Sequence, residues 1–134
     1  MKKMKKLNNK GFSLVELIIV IAIMAVLVGV LAPQFTKYVG QSKTSADGTN
    51  ADTLRTTAAS CLADTTCTYA QTTEQTYTIN GSAPTAATAD GNLFTLMEAA
   101  MGSSNWPSTQ SKTTGFTLKI TPATGGGYTV DVTY

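Results

Sequence analysis

The side chain best placed to do chemistry in this sequence is Glu16, because it lies inside a long apolar segment. Of the 21 residues from 12 to 32, 18 are apolar and only Glu16 is ionisable. A carboxylate inside a membrane helix costs free energy unless it finds a partner, and ionisable residues at such positions generally have a function. We therefore predict that Glu16 makes a specific polar contact in the working state of the protein.

The rest of the chain offers few groups that could catalyse a reaction. It contains no histidine, and its two cysteines are Cys61 and Cys67. A zinc site needs about four ligands at characteristic spacings, and a nucleophilic Ser or Cys needs a base, which is usually histidine. We therefore predict that the protein is not an enzyme and holds neither a metal nor a cofactor.

Cys61 and Cys67 lie close together in a part of the chain that we expect outside the cytoplasm. An oxidising compartment favours a disulfide between them. Two unlinked buried thiols are the alternative, because free cysteine is commonly a small core residue.

The element that would carry Glu16 is a membrane helix. As an α-helix, residues 12–32 would span about 31 Å, which matches the hydrocarbon core of a bilayer. A secretory signal is the weaker alternative, because its apolar region has only about 7 to 15 residues and a small-residue cleavage site follows it. A plain single-pass anchor is the stronger alternative. It explains the lysines at positions 2, 3, 5, 6 and 10 as a positive cytoplasmic flank, but it leaves Glu16 unexplained.

Residues 10–33 resemble the class III signal of type IV pilins. In that signal a short basic leader ends in Gly, Phe follows, and Glu is the fifth mature residue, as Gly11, Phe12 and Glu16 are here. The resemblance implies that a prepilin peptidase removes residues 1–11 by cutting between Gly11 and Phe12. It also implies that Phe12 is then N-methylated and that Glu16 acts in subunit assembly.

The same resemblance implies an α+β pilin fold with one long N-terminal helix. The front half of this helix would span the membrane and later form the filament core, and its back half would pack on a small antiparallel sheet. We predict a helix from about 12 to 62, bent at Pro33 and loosened around Gly40 and Gly48. A weak apolar stripe of helical period supports the back half. Its members are Phe35, Val39, Ser42, Ala46, Asn50, Leu54, Ala58 and Cys61, whereas Lys37, Lys43, Asp47, Asp52 and Arg55 lie off it.

The middle of the chain predicts one strand and one short helix. Residues 76–79 alternate like a strand before Asn80-Gly81, and residues 92–101 form an amphipathic helix with Asn92 as cap and Gly102 as stop. Trp106 is predicted to fill the core beside the sheet, with an exposed binding aromatic as the alternative. The core-facing residues of the helix are predicted to be Leu93, Leu96, Met97 and Ala100.

The end of the chain predicts a β-hairpin, because residues 116–121 and 128–134 alternate apolar and polar side chains. We expect a register that pairs Phe116 with Tyr134, Leu118 with Val132, and Ile120 with Val130. The same register places Lys119 opposite Asp131 on the outer face.

The resemblance, together with these patterns, implies a structural subunit of a type IV pilus. Residues 1–11 would be the leader, 12–32 the membrane and filament-core helix, and 33–134 the globular head. The partners that the resemblance implies are identical subunits in a helical filament, the prepilin peptidase and the pilus assembly platform, and the apolar helix adds the membrane. The subunit would lie in the membrane before assembly and in an extracellular pilus afterwards, where adhesion, motility and DNA uptake all fit. Without the leader, the chain has five basic and eight acidic residues, so we predict no contact with nucleic acid.

Two alternatives share the same N-terminal features. A pseudopilin of a type II secretion or competence system has the same leader and helix, but secretion pseudopilins resemble one another in an acidic calcium loop near the C-terminus. Residues 115–134 of this chain contain only Asp131 as an acidic residue. A plain single-pass membrane-anchored domain is the second alternative. The chain also departs from Gram-negative pilins, whose C-terminal region a disulfide commonly closes, because no cysteine follows Cys67.

Overall fold

The computed structural model describes residues 11–84, 90–102 and 105–134. Within them the chain forms two helices and three strands, which confirms the predicted α+β class. In chain order they are α1 (Leu14–Leu62), β1 (Gln75–Ile79), α2 (Leu93–Met101), β2 (Phe116–Pro122) and β3 (Tyr128–Thr133). The strands form one antiparallel sheet in the order β1-β2-β3.

Helix α1 is continuous over 49 residues and includes Pro33, Gly40 and Gly48, so the prediction of one long helix is confirmed. Pro33 has no amide to donate to the carbonyl four residues earlier, and a bend at this position stays a prediction. Just beyond it, the Thr36 hydroxyl donates to the Ala32 carbonyl at 3.1 Å. The chain divides into two compact units, one ending at Val39 and the other beginning at Gly40.

The side chains of the front part of α1 are exposed. Every residue from Gly11 to Ala46 is exposed, including large apolar side chains such as Ile19, which is 53% exposed, and Val28, which is 64% exposed. By length and composition this part of α1 is able to cross a membrane. An apolar surface of this size needs a cover, which a bilayer or other protein chains can supply.

The second unit has a hydrophobic core between α1 and the inner face of the sheet. The predicted helix stripe is right at Leu54, Ala58 and Cys61, which are all buried. The predicted stripe is wrong in the turns of α1 that precede Leu54, because Ala46 is exposed while Ala51 and the charged Asp47 are buried. The strands and α2 complete the core with Tyr77, Ile79, Leu93, Phe94, Met97, Phe116, Leu118, Ile120 and Val132.

Helix α2 rotates slightly from its predicted orientation. Leu93 and Met97 are buried as predicted, but Phe94 is also buried and Ala100 is exposed. Phe94 turns inward because Tyr77 and Trp106 surround it, with ring centroids 4.7 Å and 6.4 Å away. Trp106 is only 7% exposed, which confirms its predicted place in the core.

Asn92 immediately precedes α2, but its side chain makes no capping bond, so its predicted role as side-chain cap is wrong. It instead fastens the segment that follows α1. Its Oδ1 accepts from the Thr68 amide at 2.8 Å, and its Nδ2 donates to the Thr66 carbonyl at 2.9 Å. These bonds satisfy one backbone amide and one backbone carbonyl of the loop between α1 and β1.

The predicted hairpin register is confirmed, since β2 and β3 pair Leu118 with Val132, Lys119 with Asp131 and Ile120 with Val130. The rings of Phe116 and Tyr134 lie 6.0 Å apart, just beyond the last paired residues. Lys119 and Asp131 are opposite each other in the register, but each forms its ion pair with a different residue.

Asp131 binds Arg55 of α1 at 3.0 Å, and Lys119 binds Glu74 at 3.0 Å. The main chain of Val132 takes part in the first of these pairs. Its carbonyl accepts from Arg55 at 3.3 Å, and its amide donates to Asp131 Oδ1 at 3.0 Å. The ion pair thus attaches β3 to α1.

Gly91 occupies a position that needs glycine. Its φ is +61°, and an added Cβ would lie 2.6 Å from the backbone of Thr68. We expect Gly91→Ala to destabilise the folded unit by more than about 1 kcal/mol, because the strained φ and the clash act together. Thermal unfolding followed by circular dichroism measures this effect.

The matched control is Gly40→Ala, at an exposed helical position where nothing lies within 4 Å. This change should stabilise α1 by up to about 1 kcal/mol. Equal melting temperatures for the two variants would contradict the assigned conformation of Gly91.

Candidate functional site

Ser13 directly precedes helix α1 and Glu16 lies in its first turn, and the sequence Ser13-Leu14-Val15-Glu16 has the pattern of a capping box. The Ser13 amide donates to Glu16 Oε2 at 2.9 Å, and the Leu17 amide donates to the Ser13 carbonyl at 3.3 Å. Glu16 therefore already serves as an acceptor at the start of its own helix. Our sequence analysis missed this contact, although the S-x-x-E spacing would have indicated it.

The geometry also places Glu16 beside Phe12. These two residues, with Leu17, Ile19 and Val20, line one apolar hollow along the helix. Phe12 is 87% exposed, and both Gly11 and Phe12 precede the first turn of α1. The bond between them is thus accessible and outside regular structure, as a peptidase substrate must be.

The electrostatics of this end of α1 favour an anion. The unpaired amides at a helix N-terminus carry a partial positive charge that stabilises a carboxylate in the first turn. Glu16 is the only ionisable residue between Gly11 and Thr36, so it has no cationic partner in this segment. Cleavage after Gly11 would create such a partner, because the new α-amine on Phe12 lies one residue before the Ser13 amide that Glu16 already contacts.

The second notable carboxylate is Asp47, the first buried residue of α1. Its Oδ1 accepts from the Gln110 amide at 2.7 Å, and its Oδ2 accepts from the Ser111 amide at 2.8 Å and from the Ser111 hydroxyl. We call these three residues the Asp47 clasp. It fixes the loop between α2 and β2 to α1, and therefore an acidic residue that we placed off the core face is fully buried.

The clasp changes how readily Asp47 binds a proton. Burial alone would raise the pKa of the Asp47 carboxyl. The hydrogen bonds from Ser111 and Gln110 and the positive charge of Lys112 more than offset burial, and they hold that pKa below its ordinary value of 3.8. Asp47 is therefore ionised at neutral pH and acts as a charged acceptor.

The two cysteines lie at the end of α1. Cys61 is buried and Cys67 is half-buried, and both are free thiols in this structure. Two successive turns bring them near each other, because the Asp64 amide donates to Cys61 O at 3.2 Å and the Cys67 amide donates to Asp64 O at 3.1 Å. Burial raises the pKa of the Cys61 thiol, and the nearby Cys67 and Asp64 raise it further.

The disulfide between Cys61 and Cys67 stays a prediction, and it is directly testable. In protein isolated from outside the cytoplasm without reductant, we expect both thiols to resist alkylation and the mass to rise when reduced. A loop this short should contribute roughly 2 to 3 kcal/mol at most, so reduction should lower the melting temperature. Cys61→Ser combined with Cys67→Ser is the control, and its melting temperature should not respond to reductant. Two alkylatable thiols in the unreduced folded protein would contradict the link.

Comparison with known proteins finds a motif at the start of the chain, around Phe12 and Glu16. A family model described as the prokaryotic N-terminal methylation motif matches residues 6–32. The chain is 39% identical over 61 residues to the type IV major fimbrial protein FimA of Dichelobacter nodosus, a match that covers 46% of this chain and 38% of the relative. It is 43% identical over 49 residues to the type IV major pilin protein PilA of Myxococcus xanthus, covering 37% of this chain and 22% of the relative.

The aligned part of this chain is therefore well under half the length of these relatives. No solved structure matches it. The matches confirm the predicted class III prepilin signal and show homology to type IV major pilins. They also confirm the prediction that the chain is not an enzyme, since the relatives are fimbrial and pilin proteins.

Proposed function

We propose that this protein is a structural subunit of a type IV pilus, stored in the membrane after leader removal and then polymerised into a surface filament. The observation that carries the proposal is the coincidence of two features. The methylation motif at residues 6–32 overlaps the part of α1 that is both apolar and exposed on every side. A soluble domain would leave this apolar surface in water. A membrane subunit that polymerises would bury the same surface in lipid before assembly and against other subunits afterwards.

The two uses follow from one physical property. In the bilayer, lipid covers the apolar side chains of the front part of α1. In a filament, the same side chains would pack against α1 helices of identical subunits, so the apolar area leaves lipid without entering water. The transfer of a subunit between the two states is therefore nearly neutral for the hydrophobic term. Specific contacts such as those of Glu16 then decide the direction.

The remaining partners follow from the same residues. A prepilin peptidase would cut between Gly11 and Phe12, and methylation would follow on the Phe12 amine. An assembly platform in the membrane would collect processed subunits. The subunit would be a single-pass membrane protein before assembly and part of an extracellular fimbria afterwards.

The test is the chemistry of the mature N-terminus. In membranes and in sheared surface filaments, mass spectrometry should find N-methylated Phe12 as the first residue. Gly11→Val should leave residues 1–11 attached, because a branched side chain next to the scissile bond obstructs a peptidase. An added Cβ at Gly11 meets nothing within 4 Å, so a loss of processing would not come from misfolding.

The matched control is Gly29→Ala, at a glycine within α1 that also has open space around it. It should be processed normally. A protein that keeps Met1 in the membrane of a cell with an active prepilin peptidase would instead be a plain single-pass anchor.

A further inference from the structure

The residues just beyond the apolar segment of α1 have an unusual composition. Phe35 is 71% exposed and Tyr38 is 64% exposed, and Lys37 lies between them. Lys37 makes no ion pair with any residue that the structure describes. These three residues, which we call the aromatic collar, belong to the first unit of the chain and contribute nothing to the hydrophobic core.

The position of the collar along α1 is set by the helix rise. If Ala32 marks the end of the hydrocarbon-spanning part, Phe35 lies about 4.5 Å and Tyr38 about 9 Å further along the axis, at 1.5 Å per residue. The headgroup layer on each side of a bilayer extends about 5 to 7 Å beyond the hydrocarbon. Phe35 therefore lies within that layer. Tyr38 lies about 2 Å beyond its outer edge on this axis, and helix tilt brings it towards the layer.

The chemistry of the collar fits that layer better than it fits water. Aromatic rings with a polar tip, such as Tyr38, are enriched where membrane meets water, because one end is apolar and the other forms hydrogen bonds. An ammonium on a long flexible stem, as in Lys37, reaches phosphate groups of the headgroups. In water, Phe35 would expose its ring with no compensating contact.

We propose that Phe35, Lys37 and Tyr38 dock in the phospholipid headgroup layer and fix the depth at which the subunit waits in the membrane. This inference rests on the proposed storage of the subunit in a bilayer. The apolar run alone fixes that depth only coarsely, because a mismatch between the helix and the bilayer is accommodated by tilting at a small cost for each Å. The collar would hold the helix at one depth. Transfer of the subunit from the bilayer into a filament would then have to break these headgroup contacts.

The test uses the full chain reconstituted in vesicles of phosphatidylethanolamine and phosphatidylglycerol. Phe35→Trp and Tyr38→Trp place fluorescent probes in the collar, and spin-labelled lipids carry the quencher either on the headgroup or at the end of the acyl chain. We expect both probes to lose emission mainly to the headgroup label. The wild-type protein, whose single tryptophan Trp106 is buried in the second unit, gives the background to subtract.

Two further positions on α1 make the outcomes distinguishable. Val28→Trp should lose emission mainly to the acyl-chain label, and Gln41→Trp should lose emission to neither. If Val28→Trp reports acyl-chain depth but the collar probes respond to neither label, the collar does not dock in headgroups and the inference is overturned. If Val28→Trp itself responds to neither label, the helix is not in the bilayer, and the proposed membrane storage fails with it.

Lys37→Gln provides a second readout. If Lys37 binds headgroup phosphates, this change should reduce headgroup quenching of the Tyr38→Trp probe, and the reduction should be larger in vesicles that contain phosphatidylglycerol than in vesicles of neutral lipid. Unchanged quenching in both vesicle types would remove Lys37 from the collar.

Discussion

Glu16→Ala should yield normal amounts of processed subunit in the membrane and few or no surface filaments. Loss of the carboxylate removes a cost in lipid, so insertion should not suffer. Assembly should suffer, because in a filament the carboxylate can neutralise the Phe12 amine of its own or a neighbouring subunit. In a low-dielectric filament core, an amine left without that partner is strongly destabilising.

The structure supplies a control that the sequence alone did not indicate. Glu16 also accepts a hydrogen bond from the Ser13 amide at 2.9 Å. Glu16→Gln keeps an oxygen for this capping bond but carries no charge. If charge pairing drives assembly, Glu16→Gln should lose filaments as Glu16→Ala does.

Immunoblots for the processed subunit and counts of surface pili measure both variants. Normal piliation of Glu16→Gln beside the loss in Glu16→Ala would show that capping is what matters. Normal piliation of both variants would mean that Glu16 is merely tolerated in the helix, and the pairing mechanism would have to be abandoned.

The second large effect is expected at Asp47. Asp47→Ala leaves the amides of Gln110 and Ser111 without their acceptor and creates a gap in the core side of α1. We expect the melting temperature of the full chain in detergent to fall by several degrees. Asp47→Asn, which keeps one acceptor oxygen and loses the charge, should fall less.

Ser111→Ala tests the pairing from the other side, since it removes the hydroxyl donor and leaves both amides in place. In the double variant with Asp47→Ala, the Ser111→Ala change should have little further effect, because its partner is already absent. Additive losses would show that the two residues do not act as a clasp.

The pH dependence of the clasp has a definite sign. Since the pKa of Asp47 is lower in the folded protein than the ordinary value of 3.8, its ionised form stabilises the fold at every pH above that value. The contribution is lost as the pH falls below 3.8 through the folded pKa. The difference in melting temperature between wild type and Asp47→Asn should therefore be constant near neutral pH and shrink only in strong acid.

Local patterns predicted most of the fold correctly. The apolar run required a long helix, and strict alternation over residues 116–121 and 128–134 determined the hairpin register. Each of these signals is contained within one segment of the chain. The capping box at Ser13 and Glu16 was equally local and could have been found by the same means.

The errors at Asp47 and Asp131 share one physical origin, which is polar contact between distant segments. Asp47 is buried because its donors lie 63 and 64 positions away, and no pattern around Asp47 indicates them. The Asp131 carboxylate pairs with Arg55 and not with Lys119, because α1 places the Arg55 guanidinium at the edge of the sheet. Arg55 and Asp131 are 76 positions apart in the sequence. A charge on a weakly apolar helix is normally solvated, so sequence reasoning placed Asp47 outside.

The ion pair between Arg55 and Asp131 also affects how readily the protein aggregates through the edge of its sheet. β3 is an edge strand, and a bare edge presents amides and carbonyls to which a strand of another chain can add. Here the carbonyl of Val132 is occupied by Arg55 and its amide by Asp131, so one rung of that template is already taken. Before assembly, subunits crowded in the membrane would hold their globular heads at a high local concentration. A chain whose proposed work is to polymerise through its helix is thereby hindered from aggregating through its sheet.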